Sequence, residues 1–168
     1  MVWGIIMKKK YLLIIPLICV CTIFCFLLYW KNKPGKSELI VKFVIEHKDE
    51  LREYIENTKE GEIIKSIDGI NGIPGVGKFI NITDMRSSSG ILVFECVAEG
   101  ILTSSIQSGF YYSEEDKYSC NALPWTYGYD WYEVPTEVEN VWHYETSSDD
   151  YYDTVKICEN FYYFSAGN

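Results

Sequence analysis

The chain is poor in histidine and in basic residues: 2 His in 168 positions, and 15 Lys and Arg against 24 Asp and Glu. Two imidazoles leave little material for a His-rich metal centre or a catalytic base. The acidic excess argues against a nucleic-acid backbone as ligand. No G-x-S-x-G is present and the cysteine spacings match no zinc site, so no known catalytic signature emerges. Aromatic residues are plentiful, with 14 Tyr, 8 Phe and 5 Trp. The length fits one modest domain.

The longest uncharged stretch is Tyr11 to Trp30, YLLIIPLICVCTIFCFLLYW. At about 1.5 Å per residue, a helix of that length crosses a ~30 Å hydrocarbon core. Tyr11, Tyr29 and Trp30 stand where amphipathic rings prefer the interface, bracketed by Lys8–Lys10 and Lys31. A cleaved signal peptide competes with this reading, with Met7 as an alternative start. Cleavage wants small residues after the apolar run, and Phe26, Leu27, Leu28, Tyr29 and Trp30 are all bulky. The expectation is therefore an uncleaved signal anchor: residues 1–10 cytoplasmic, 11–30 transmembrane, 31–36 a linker, and 37–168 an extracytoplasmic domain.

Without the first thirty residues the chain keeps all 24 acidic groups and 12 of the 15 basic ones, a net charge of −12. Cys19, Cys21 and Cys25 fall inside the apolar run, where a thiol is a small apolar group. Cys96, Cys120 and Cys158 lie beyond it; three thiols allow at most one bridge, and burial is the default for Cys96 and Cys158.

Ser37 to about Thr58 reads as one amphipathic helix with Ile40, Val44, His47, Leu51 and Tyr54 on one face. His47 has no ligand partner at matching spacing, so a boundary residue with a satisfied hydrogen bond is expected. After Gly61 the period changes to two and β-branched and aromatic residues dominate. Strands are expected at 63–67, 79–85, 91–98, 109–113, 141–146, 152–158 and 161–165. Ile91–Ala98 is apolar at both parities except Glu95, the mark of a central strand. Glu159-Asn160 is a tight hairpin link, since Asn tolerates the left-handed conformation. Glu114–Lys117 and Ser147–Asp150 read as exposed turns. One helix followed by strands alone points to an α+β fold, with the helix packed on a mainly antiparallel sheet of six or seven strands.

Gly72-Ile-Pro-Gly-Val-Gly77-Lys78 fits G-x-x-x-x-G-K, but Phe79 stands where magnesium needs Ser or Thr, and a strand-like run follows. No nucleotide partner is expected, and the glycines and Pro74 read as a loop. His143, between Trp142 and Tyr144, should point away from those rings together with Val141 and Glu145, which allows a Glu145–His143 contact. Within Trp125-Thr-Tyr-Gly-Tyr-Asp-Trp131-Tyr132 five aromatics interleave with Asp130. Trp125, Tyr127, Tyr129, Asp130, Trp131 and Tyr132 are the candidate binding residues, as a stacking platform for sugar or a hot spot for a protein. No catalytic residue, metal or cofactor is expected.

Gly109-Phe-Tyr-Tyr-Ser-Glu-Glu-Asp116 and Asn160-Phe-Tyr-Tyr-Phe164 resemble a group of short uncharacterised Firmicutes proteins. That group has an N-terminal anchor, one helix and Tyr-rich strands. The resemblance covers most of residues 37–168, implies a bacterial, envelope-located protein, and contributes no activity.

Two functions are expected. The first is a membrane-anchored, non-enzymatic module that binds an envelope protein or glycan, in one version an immunity-like protein neutralising a basic toxin. The alternative is a small hydrolase acting on envelope glycans through paired carboxylates, which needs two of them converging in a cleft.

Overall fold

The computed structural model describes residues 34–58, 63–64, 67, 69–85, 90–101, 104–120, 126 and 129–167. The apolar run Tyr11 to Trp30 lies outside the described residues; among those described, no helix is long and apolar enough to cross a membrane. Lys36–Asn168 forms a unit apart from Met1–Gly35, and the description below concerns that unit.

Helix α1, Lys36–Asn57, carries Glu38 in its first turn, where a negative charge meets the positive end of the helix dipole. Ile40, Phe43, Val44, Leu51 and Ile55 are its buried residues. The helix kinks at His47 (φ −116°, ψ 17°). That imidazole lies 4.7 Å from the Phe43 ring, with Nδ1 3.0 Å from Glu50 Oε2, the boundary position its spacing suggests. Beyond the kink Leu51 and Ile55 are buried, and Tyr54 packs at the margin of the core.

Among the described residues ten strands follow: β1 Ile63–Ile64, β2 Gly72–Ile73, β3 Gly77–Lys78, β4 Asn81–Met85, β5 Ile91–Ile101, β6 Ser104–Ser113, β7 Tyr132–Val134, β8 Val141–Glu145, β9 Tyr151–Cys158 and β10 Phe161–Gly167. Eight form one sheet in the order β1-β4-β5-β6-β10-β9-β8-β7, antiparallel throughout. Seven of these have three residues or more, with the two-residue β1 at one edge. The fold is α+β, one helix packed on an antiparallel sheet.

Three local readings need correction. Of the expected strand 63–67, the described residues Ile63–Ile64 pair with the sheet, while Ile67 bridges Ile70. The expected strand 79–85 begins at Asn81, because Phe79 turns into the core and Ile80 is exposed. The glycine-rich loop is a small hairpin, β2–β3. Lys78 is followed by buried Phe79 and strand β4, so the helix N-terminus that a phosphate loop requires does not follow it.

The sheet order explains how both faces are covered. β4, β5 and β6 meander from one edge, and the chain then crosses to the opposite edge. From there β7, β8, β9 and β10 meander back until β10 pairs with β6. Along β5 alternate side chains go to opposite faces. Leu92 and Phe94 join the helix-side core with Phe43, Phe110 and Phe161. Ile91 and Val93 join a second core with Tyr111, Tyr144, Tyr152, Tyr162 and Phe164. Glu95 is half-buried beside Asn81, whose Nδ2 donates to Oε2 at 3.3 Å.

Tyr111 ties the second core to the crossing segment. Thr154 Oγ1 donates to the Tyr163 carbonyl at 3.0 Å, so the Tyr111 hydroxyl, 2.9 Å away, donates to Thr154. The same phenolic oxygen accepts the Ser119 N–H at 3.0 Å. One buried hydroxyl thus links β6, β9 and the start of the crossing. Burial pushes its pKa well up, which keeps the donor proton in place at neutral pH.

The turn after β6 is more than an exposed loop. Asp116 (φ 52°) accepts Lys156 Nζ at 2.7 Å, the Asn160 N–H at 2.8 Å and the Tyr162 hydroxyl at 3.1 Å. It clamps the β9–β10 hairpin, where Asn160 has φ 67° as the Glu159-Asn160 link predicts. In the other turn Asp150 is buried, accepting Ser148 Oγ at 2.6 Å and Thr146 Oγ1 at 3.1 Å.

Two outcomes follow. Tyr111→Phe removes one hydrogen-bond partner each from buried Thr154 and half-buried Ser119 and should cost about 1–3 kcal/mol, read from urea unfolding. For Asp116, partial burial alone raises the carboxyl pKa, but the bonds from Lys156, Asn160 and Tyr162 outweigh it and hold it below the ordinary carboxylate range. Its contribution is present above about pH 4 and lost as pH falls through the lower folded value. Asp116→Asn should lower stability at pH 7 by about 1–2 kcal/mol and flatten the acid limb of the stability curve.

Candidate functional site at the β7–β8 edge

From Tyr118 to Val155 the chain has eight Asp and Glu residues and no Lys or Arg. This stretch builds one edge of the sheet. β7 forms from Tyr-Glu-Val and stops at Pro135, which has no backbone donor to extend the ladder. The register sets Tyr132 opposite Glu145 and Val134 opposite His143. On the other side His143 lies opposite Asp153 and Glu145 opposite Tyr151. The period of two therefore puts Tyr132, His143, Glu145, Tyr151 and Asp153 on one face. Trp142 and Tyr144 go to the second core, as the sequence suggests.

Three of these residues form a charged row. His143 Nδ1 is 2.5 Å from Asp153 Oδ1, and Nε2 is 3.0 Å from Glu145 Oε1. The Tyr132 hydroxyl donates to Glu145 Oε2 at 3.2 Å. Ionised carboxylates only accept, so both contacts are hydrogen bonds when His143 is the imidazolium, with a proton on each ring nitrogen. Partial burial works against that charge, but the bonds and charge of Asp153 and then Glu145 outweigh it and raise the pKa. The Glu145 carboxyl is held below its ordinary value, first by His143 and then by Tyr132. The imidazole side chain is 27% exposed, Asp153 38% and Glu145 44%. With both nitrogens engaged as donors, His143 has no lone pair to take a proton from a nucleophile.

The residues singled out in the sequence have different surroundings. Trp125 and Tyr127 lie outside the described residues. Tyr129 and Tyr132 are 45% and 50% exposed, and Asp130 is exposed between them. Trp131 turns inward: its Nε1–H donates to the Thr126 carbonyl at 3.0 Å, and its ring meets Tyr152 edge-on at 6.2 Å. Tyr129 leans on the Trp131 ring, with centroids 5.7 Å apart. The edge therefore presents Tyr129, Asp130 and Tyr132 outward, while Trp131 anchors the end of the crossing segment.

Sequence reasoning singled out the Glu145–His143 contact but missed Asp153. The signal was available in the hairpin, since His143 and Asp153 are equally distant from Ser148 at the centre of the turn.

Elsewhere, Cys96, Cys120 and Cys158 are unpaired thiols, with Cys96 buried. Among the described residues no group of three His, Cys, Asp or Glu side chains is placed to hold a metal ion. A shallow cleft of about 160 Å³ lies between α1 and the β2–β3 turn, lined by Leu39, Lys42, Phe43, Glu46, His47, Ile73 and Pro74. Comparison with protein-family models, with curated proteins and with solved structures finds no match for the chain.

Trp131→Ala should destabilise the domain by about 2–3 kcal/mol through lost packing on Tyr152, whereas Tyr129→Ala should cost under about 1 kcal/mol. Paired thermal and urea unfolding of the two variants separates the anchoring ring from the outward one.

Proposed function

We propose that this chain is a membrane-anchored binding protein, held by Tyr11 to Trp30, whose acidic domain at the outer face takes a basic protein partner on the β7–β8 edge. The observation that carries the reading is the run from Tyr118 to Val155, with eight carboxylates, no Lys or Arg, and exposed Tyr129 and Tyr132 among them. A guanidinium suits such a surface because it pairs with carboxylates in a planar fork and stacks on phenol rings. The domain charge of −12 adds long-range attraction that speeds encounter with a cationic partner. An immunity-like role against a basic toxin is one form of this reading.

Carboxylate-dependent hydrolysis of a glycan draws less support. It needs one carboxyl as acid and another as base or nucleophile across a bound sugar, whereas Glu145 and Asp153 both engage the imidazolium between them.

The test uses the full chain with an oligo-arginine peptide and with basic envelope proteins recovered by pull-down. Tyr132→Ala and Asp130→Asn should each weaken binding about tenfold, roughly 1.4 kcal/mol, with affinity falling steeply as salt rises. Affinity indifferent to salt and to both substitutions overturns the proposal.

A further inference from the structure

His143 is the one residue between Tyr118 and Val155 able to carry a positive charge, and it sits between two of that segment's eight carboxylates. We propose that His143 is a proton switch for this edge: as imidazolium it holds Glu145 and Asp153 together, and on losing a proton it releases Glu145. The inference concerns the regulation of the proposed binding edge and rests on that reading only for the partner's response.

The geometry says which bond is lost. A neutral imidazole donates through one nitrogen only. The Asp153 bond is the shorter, 2.5 Å against 3.0 Å, so the remaining proton stays on Nδ1. Glu145 is the more exposed carboxylate and keeps the Tyr132 hydroxyl as donor, so it can rotate toward solvent at little cost. The charge of the three groups then goes from −1 to −2 beside exposed Tyr132, the side chain offered to a cationic partner.

Among the described residues, the strands around His143 bring no competing cation to the row. β7 contributes Tyr132, with Val134 directly across from His143. β8 contributes Glu145, and β9 contributes Asp153 and Tyr151. From β10 Tyr163 lies near Asp153 and Tyr151. Lys156, the nearest lysine along β9, is held by Asp116. Because the folded pKa is raised above the ordinary histidine value, the clasp is complete below about pH 6.5 and is lost as pH rises through the folded value.

Histidine-selective ¹⁵N NMR of the full chain tests the switch directly, with His47→Gln assigning the second signal. The expected result is a His143 midpoint above that of an unfolded peptide, lowered by Asp153→Asn and by Glu145→Gln, with the Nδ1–H tautomer above the midpoint. A midpoint at the ordinary value, or one that neither substitution moves, overturns the switch. Oligo-arginine affinity, measured at constant ionic strength, should rise several-fold across the same pH interval, and His143→Gln should abolish that rise. A rise that survives in His143→Gln overturns the control of binding by this residue. No binding at any pH, with the NMR titration as expected, upholds the switch and overturns the partner reading instead.

Discussion

A sheet of aromatic strands needs a cover on each side, and the second cover hangs on the buried Tyr111 hydroxyl. Helix α1 protects one face through Ile40, Phe43, Val44, Leu51 and Ile55. The opposite face is no less apolar, and no second helix exists among the described residues to cover it. Of the segment between β6 and β7, Cys120 and Trp131 pack against that face. Tyr111 ties that segment to the sheet by accepting from Ser119 while donating to Thr154 on β9. Tyr118 stacks on Trp142 at 4.1 Å and Trp131 closes over Tyr152, so rings fill what regular backbone pairing leaves open.

The same topology creates the acidic edge. Because the chain must cross the sheet before it returns, β7 ends up at the rim, paired on one side only and stopped by Pro135. A short, charged, proline-ended strand is a poor template for unwanted strand addition, so what this edge offers is its side chains. Tyr129, Asp130 and Tyr132 face outward, and the His143 row lies beside them. Opposite charges in that row spare the protein an uncompensated pair of carboxylates. They also make the net charge of the rim responsive to one proton.

Much of this was legible in the residues. The helix, the central strand with apolar side chains at both parities, and the Glu159-Asn160 hairpin follow from local patterns, because period and turn chemistry are properties of a few neighbouring positions. Two kinds of feature were not legible. β7 is three residues long and sits in an aromatic stretch with no sustained alternation, so its strand character depends on β8 being alongside. Asp116 and Asp150 look like solvent-facing turn residues, yet each gathers hydrogen bonds, and Asp116 takes its bonds from residues that arrive forty or more positions later.

The chain by itself determined its helix and its longer strands, its acidic balance, the long uncharged run near its start and the cation-free stretch that carries eight carboxylates. Each is set by composition or short-range period and survives whatever the strands do next. Only the tertiary structure decided that β10 pairs with β6, that Trp131 points in while Tyr132 points out, and that Asp153 meets His143. Those outcomes depend on strand order and register. A shift of one position would send every side chain of a strand to the other face, and what selects the register is burial of both faces at once.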